Sequence, residues 1–192
     1  MSKLPLRFYL REDVVQISKD LLGKYLFTNI NGVLTGGIIT ETEAYAGAID
    51  KASHAYQNRR TNRTEIMFRE GGTAYVYLCY GIHHLFNIVT NLEGIPHAVL
   101  IRAIKPVEGI DTILKRRNLL TLKPNVSAGP GTVSQALGIK TTHTGISLLE
   151  DTIWIEDRGF KIKGEDITSG PRVGIDYAEE DALLPYRFRI FI

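Results

Sequence analysis

Apolar positions follow helical spacing only in short stretches of this chain. In "REDVVQISKDLLGKYLF" the residues Val14, Val15, Ile17, Leu21 and Leu22 keep a period near 3.6, and Gly23 supplies the stop. "VEGIDTILKRRN" predicts a second short helix with a basic end. "SAGPGTVSQALGI" predicts a Gly/Pro loop opening into a third, with Thr132 and Gln135 spaced as a capping box. Elsewhere the period of two dominates. "KYLFTNINGVLTGGIITETEAY" predicts two strands joined at Asn31-Gly32, the strongest short hairpin signal. "GGTAYVYLCYGIHHLFNIVTN" predicts a second hairpin turning near Gly81. "HAVLIRAIKP" predicts a strand stopped by Pro106, and "DTIWIEDRGFKIK" another strand pair. The terminal "PYRFRIFI" sets Tyr186, Phe188 and Ile190 against Arg187 and Arg189, as a half-buried strand does. Segment 46–72 is long, polar and basic with little periodicity, a length at which loops are functional or disordered. No repeat, linker or low-complexity tract divides the chain. The pattern predicts one mixed α+β domain over residues 1–192, built on a largely antiparallel sheet.

Composition narrows the classes. Hydrophobic residues at 44% and charged residues at 23% are ordinary globular values and argue against disorder. A net charge of +2 permits a nucleic-acid partner without requiring one, because a local patch matters more than the sum. The single cysteine, Cys79, rules out a disulfide framework or a cysteine-built metal cluster and reads as a buried thiol. "MSKLPLRFYLRED" lacks the core of an export signal, and no apolar run reaches the roughly 20 residues of a membrane span. The expectation is a soluble protein of a reducing compartment.

In "GGIITETEAYAG" strand alternation puts Ile39, Glu41, Glu43 and Tyr45 on one face, with the two carboxylates about 7 Å apart. Glu41 reads as a polar strand end emerging into solvent. Glu43, beside Tyr45 at the passage from strand to loop, is the better candidate for chemistry. None of His54, His83, His84, His97 and His143 shows metal-ligand spacing, so no metal is expected. His97 and His143 read as surface or hydrogen-bonding residues. Arg59, Arg60, Arg63 and Arg69 form one basic group, and Lys115, Arg116 and Arg117 another. Each is either a solvated or helix-end group, or part of a surface that tracks phosphates beside stacked bases. The "GPGTVSQ" loop adds a weak phosphate-binding signal at a helix start. Tyr75, Tyr77 and Cys79 share one strand face; Val76, Leu78 and Tyr80 share the other. Tyr80, next to Gly81, is placed at the hairpin tip, where an aromatic can wedge between bases. Two core tyrosines and one surface tyrosine is the plain alternative.

"TETEAYAGAIDKASHAYQNRRTNRTEIMF", "GGTAYVYLCYGIHHLFNIVTN", "AVLIRAIKPVEG", "AGPGTVSQALGI" and "GPRVGIDYA" together resemble the alkyladenine (3-methyladenine) DNA glycosylase family, in its compact bacterial form. The resemblance runs in order from about residue 5 to the C-terminus. It implies a single domain with a curved antiparallel sheet, surrounding helices and a protruding hairpin. It also implies a cofactor-free, monofunctional enzyme that flips alkylated or deaminated purines out of duplex DNA and leaves an abasic site. Glu43 matches the general base; Arg102 and the backbone carbonyl of Val173 match groups that help hold its water. Tyr45, His54 and Tyr77 match the walls around the flipped base, and Asn87 the residue that crowds the 2-amino group of normal guanine. Tyr80 matches the side chain that fills the vacated stack, and Thr61, Arg63 and Ile82 fall where the family touches DNA. Asn62, Glu65 and His83 depart from the family pattern, at positions that bear on loop shape, phosphate contacts and lesion preference. The expected partner is double-stranded DNA with damaged purines. The expected setting is a monomer, free of membrane, in the cytoplasm at the nucleoid. Two rivals remain: a non-catalytic nucleic-acid-binding domain, and a metal-dependent hydrolase using His54, His83 or His84 with Glu43. The preferred lesion among 3-methyladenine, 7-methylguanine, hypoxanthine and ethenoadenine is left open.

Overall fold

The computed structural model describes residues 2–192. In chain order its elements are β1 (Ser2–Lys3), α1 (Leu6–Tyr9), α2 (Val14–Asp20), β2 (Tyr25–Ile30), β3 (Val33–Tyr45), β4 (Thr73–Cys79) and β5 (His83–Thr90). There follow β6 (His97–Glu108), α3 (Ile110–Arg117), α4 (Pro130–Leu137), β7 (Ile153–Asp157), β8 (Thr168–Gly170) and β9 (Arg187–Arg189). Every strand pairing is antiparallel, in the order β1-β7-β2-β3-β6-β5-β4, with β9 joining β3 and β8 joining β9. The sheet curls and helices surround it, in one mixed α+β domain, as the sequence predicted.

The short-range signals act as anticipated where local geometry decides. Asn31 (φ 55°) and Gly32 (φ 76°) both take the left-handed conformation that a tight two-residue turn demands. The stop at Gly23 is doubly required: its φ is 75°, and an added Cβ would lie 2.6 Å from Ile162 Cδ1. Three expectations are overridden. β6 runs through Pro106, which pairs with Gly37 at a register shift where no strand flanks it on the other side. A residue without an N–H is tolerated at such an edge. The expected second strand after β7 does not form; Phe160 and Ile162 instead pack against the main core beside the turn at Gly23. The capping box sits three residues earlier than its spacing suggested. Gly129 is the N-cap, its N–H donated to Thr132 Oγ1 at 3.0 Å, while the Gln135 amide donates to the Arg116 carbonyl at 2.8 Å. Segment 46–72 is ordered through three single turns, Gly47–Ile49, Tyr56–Asn58 and Glu65–Phe68.

The strands β3, β6, β5 and β4 separate two environments. Ala44, Val76, Phe86, Ile88, Val99 and Ile101 face the main core, which α2 and α4 complete. The opposite face meets a smaller cluster from segment 46–72, centred on Ala55, Ile66, Met67 and Phe68. That layer leaves part of the face uncovered, and the opening is the candidate site.

Candidate active site

Register builds the floor of the opening. Glu43 stands opposite Leu100, Leu100 opposite Asn87, and Asn87 opposite Tyr75, so these side chains cross four strands in one row on one face. Tyr45 opposite Ala98 and Tyr77 opposite Leu85 extend the same face. The result is a cavity of about 630 Å³, within the usual size range for a small-molecule site. Segment 46–72 contributes His54, whose ring centroid lies 4.7 Å from that of Tyr77, edge to face. Val173, Tyr177 and the start of α4 at Gly129–Thr132 complete the lining.

Glu43 is fully buried just behind this wall, held by three lining residues. Its Oε2 accepts the Tyr45 hydroxyl at 2.7 Å, and its Oε1 accepts the Val173 N–H at 2.9 Å. Arg102 Nη1 lies 3.4 Å from the same Oε1. Burial raises the carboxyl above its ordinary value, and it outweighs the opposing pull of Arg102, the Tyr45 hydroxyl, the Val173 N–H and Arg172. Burial, reinforced by Glu43, also holds the Tyr45 hydroxyl protonated, so it stays a donor. Tyr75 is pushed up to about 12 by burial, and Tyr77 is raised further. His54 is lowered to about 4 by burial and by Arg63 and Arg59, so the ring is neutral at pH 7. Its Nδ1 meets the Tyr75 hydroxyl at 2.9 Å. The aromatic rings that wall the cavity are therefore neutral, Arg63 and Arg102 also border it, and the Glu43 carboxyl lies behind it.

Residues 7–191 match the family model described as methylpurine-DNA glycosylase. The chain belongs to the methylpurine-DNA glycosylase family. It is a DNA glycosylase, a hydrolase of N-glycosyl bonds. Among curated proteins, one from Chlamydia felis is 50% identical over 98% of this chain and 96% of its own length. One from Chlamydia pneumoniae is 47% identical over 94% and 91%, and one from Bacillus cereus is 46% identical over 96% and 93%. All three carry 3-methyladenine DNA glycosylase in their names.

In this glycosylase the fold brings Glu43, Tyr45, His54, Tyr77, Asn87, Arg102 and Val173 together around one cavity. Asn87 is pinned: its Nδ2 donates to the carbonyls of Tyr75 and Leu85, both at 3.2 Å, which frees Oδ1 for the cavity. Tyr80 is 89% exposed at the hairpin tip, flanked by exposed Leu78 and Ile82. Thr61 and Arg63 line a second cavity of about 780 Å³ beside the first, and Arg63 and Tyr177 border both. The departing residues are also placed: Glu65 pairs with Arg60 at 2.7 Å, Asn62 is exposed, and His83 packs against Gly131 of α4. The basic end of α3 is structural, since Arg116 donates to the Ala136 carbonyl and Arg117 to that of Val126. His97 and His143 do serve as hydrogen-bonding residues, toward Asn91 and the Lys140 N–H.

Three expectations need correction. Cys79 is half-buried and lines the cavity near the hairpin tip, because β4 projects beyond the packed layer. Ile39 does not share a face with Glu43: the register shift after it lets Ile39 enter the main core. Glu41 is not a solvent-facing strand end. It is 8% exposed, and Arg102, Arg187 and Arg189 surround it at 3.2, 3.1 and 3.5 Å. Sequence reasoning missed Arg172, a buried side chain that pairs with Asp50, donates to the Ala44 carbonyl at 2.8 Å and lies over the Tyr45 ring. Its one signal was adjacency to Val173 in "GPRVG", and a lone arginine in a turn has no readable partner.

Proposed function

We propose that this DNA glycosylase flips alkylated or deaminated purines out of duplex DNA and hydrolyses their N-glycosidic bond with a water activated by Glu43. The observation that carries the reading is the buried carboxylate behind a cavity of neutral aromatics, beneath an exposed aromatic tip. Extruding a nucleotide costs a few kcal/mol, least at damaged pairs, and Tyr80 offsets it by filling the gap in the stack. A purine alkylated on the ring, such as 3-methyladenine, is cationic. That charge favours stacking against Tyr45 and Tyr77 and makes the base a better leaving group. The relatives' names point to the same lesion. The water oxygen bonds to C1′ as the C1′–N bond breaks, the glycosidic electrons leave with the base, and Glu43 takes the water's proton. The carboxylate charge also stabilises the cationic sugar of the transition state.

Arg102 and the Val173 carbonyl grip the water, while the Val173 N–H keeps Glu43 aimed. Asn87 crowds normal guanine. Thr61, Arg63 and Ile82 contact DNA around the extruded nucleotide. The reaction needs neither a metal nor a lysine, so the product is an abasic site in an intact strand. The enzyme acts as a monomer on double-stranded DNA at the nucleoid of the cytoplasm. Among the described residues no helix is long and apolar enough to cross a membrane.

The test is a panel of duplexes bearing 3-methyladenine, 7-methylguanine, hypoxanthine or ethenoadenine, incubated in chelator and scored for alkali-labile sites. Glu43→Gln is expected to abolish release while lesion binding persists. Turnover by that variant would defeat the role of Glu43. Loss of wild-type activity in chelator would instead favour the metal-dependent hydrolase.

A further inference from the structure

Two adjacent irregularities separate β3 from β6 at the site. Ile39 pairs with Ile104 and Glu41 with Ala103, which leaves Thr40 as an extra residue in β3. Thr42 then pairs with Ile101, which leaves Arg102 as an extra residue in β6. A bulged residue is freed from the pleat, so its side-chain direction is not fixed by alternation. Arg102 nevertheless borders the cavity and approaches Glu43. Something other than the strand must aim it.

We propose that Glu41 is a positioning residue that aims the guanidinium of Arg102 at Glu43 and at the water between them. Arg102 Nε donates to Glu41 Oε1 at 3.2 Å, and its Nη1 lies 3.4 Å from Glu43 Oε1, so one guanidinium bridges two carboxylates. An Nε contact fixes the plane of the group, because guanidinium donors form a rigid fork. Glu41 is itself held. β9 pairs alongside β3, with Arg189 opposite Glu41 and Arg187 opposite Glu43, and both arginines approach the Glu41 oxygens. Glu41 thus faces Arg102 from β6, Arg187 and Arg189 from β9, and Glu43 two residues along its own strand. Glu43 faces Arg102, the Tyr45 hydroxyl, the Val173 N–H and, further off, Arg172. The charge of Glu41 offsets these guanidiniums and keeps them from holding Glu43 too firmly as a spectator anion.

The proposal rests on Glu43 as the base, and the experiment separates the two. Single-turnover base release, affinity for a lesion duplex and the pH–rate profile are measured for wild type, Glu41→Gln, Glu41→Asp, Glu43→Gln and the Arg187→Gln/Arg189→Gln double variant. Glu41→Gln is expected to slow release on the order of 10- to 100-fold with affinity unchanged. Its acidic limb should move to lower pH by about one unit, since the arginines then act on Glu43 with one counter-charge fewer. Glu41→Asp keeps the limb in place, and the double arginine variant moves it to higher pH. A Glu41→Gln enzyme with unchanged rate and limb overturns the proposal. So does one that loses rate and affinity together while the limb stays put. If Glu41→Gln does not fold, an unmoved limb in the double arginine variant overturns it. Turnover by Glu43→Gln, by contrast, sinks the base assignment whatever the Glu41 variants do.

Discussion

At the scale of single residues, Glu43 shows that the site is held against a folding cost. Its carboxyl is raised by burial, so the fold favours the protonated form. The stability this group contributes is present at low pH and lost as pH rises through its folded value. At neutral pH the buried charge is therefore a net penalty. Glu43→Gln should raise Tm at pH 7 by about 2–4 °C for each kcal/mol relieved, with a smaller gain at pH 4; melts at both values check the sign. Asn87 is pinned by its own amide at the cavity floor. Shortening it to Ala leaves the Tyr75 and Leu85 carbonyls without its amide and opens space at the floor of the cavity. Release of undamaged guanine is expected to rise about 10-fold or more, measured on a lesion-free duplex, given how strongly one exocyclic contact can weigh in selectivity.

At the scale of elements, the β4–β5 hairpin accepts strain to present its tip. Both Tyr80 (φ 51°) and Gly81 (φ 74°) are left-handed, and Tyr is a poor residue for that conformation. Tyr80→Gly is expected to stabilise the protein by up to about 1 kcal/mol in denaturant melts while weakening capture of a lesion duplex. Unchanged affinity would count against a wedge. The segments that close the site depend on a different device. Asp50 accepts the N–H groups of Ala46 and Ala52 and pairs with Arg172, whose own contacts reach the Ala44 and Asp181 carbonyls. Asp50→Asn leaves the arginine buried without its counter-charge. A loss of about 3 kcal/mol is expected, together with slower base release, because Val173 and Tyr45 lose their backing.

At the scale of the molecule, a net charge of +2 gives little general attraction to DNA, so affinity depends on where the cations sit. Arg59 and Arg63 border the second cavity, next to the candidate site. Replacing both with Gln should weaken binding to any duplex alike and lower the slope of log K against log salt by about 2. A change confined to one lesion would contradict a backbone role.

The sequence by itself determined what short-range physics decides: the Asn31-Gly32 turn, the stop at Gly23, the strand alternation that places Tyr75 with Tyr77, and the exposed tip at Tyr80. It also carried the family, through several long motifs in order. Only the tertiary structure decided where β3 and β6 slip past one another, that Pro106 can lie within a strand, and that Glu41 is caged rather than solvated. It alone brought Arg172 and Asp50 together, 122 residues apart, beside Tyr45 at the cavity wall. Bulges and buried ion pairs depend on which strands become neighbours, and periodicity along one strand holds no record of its neighbours.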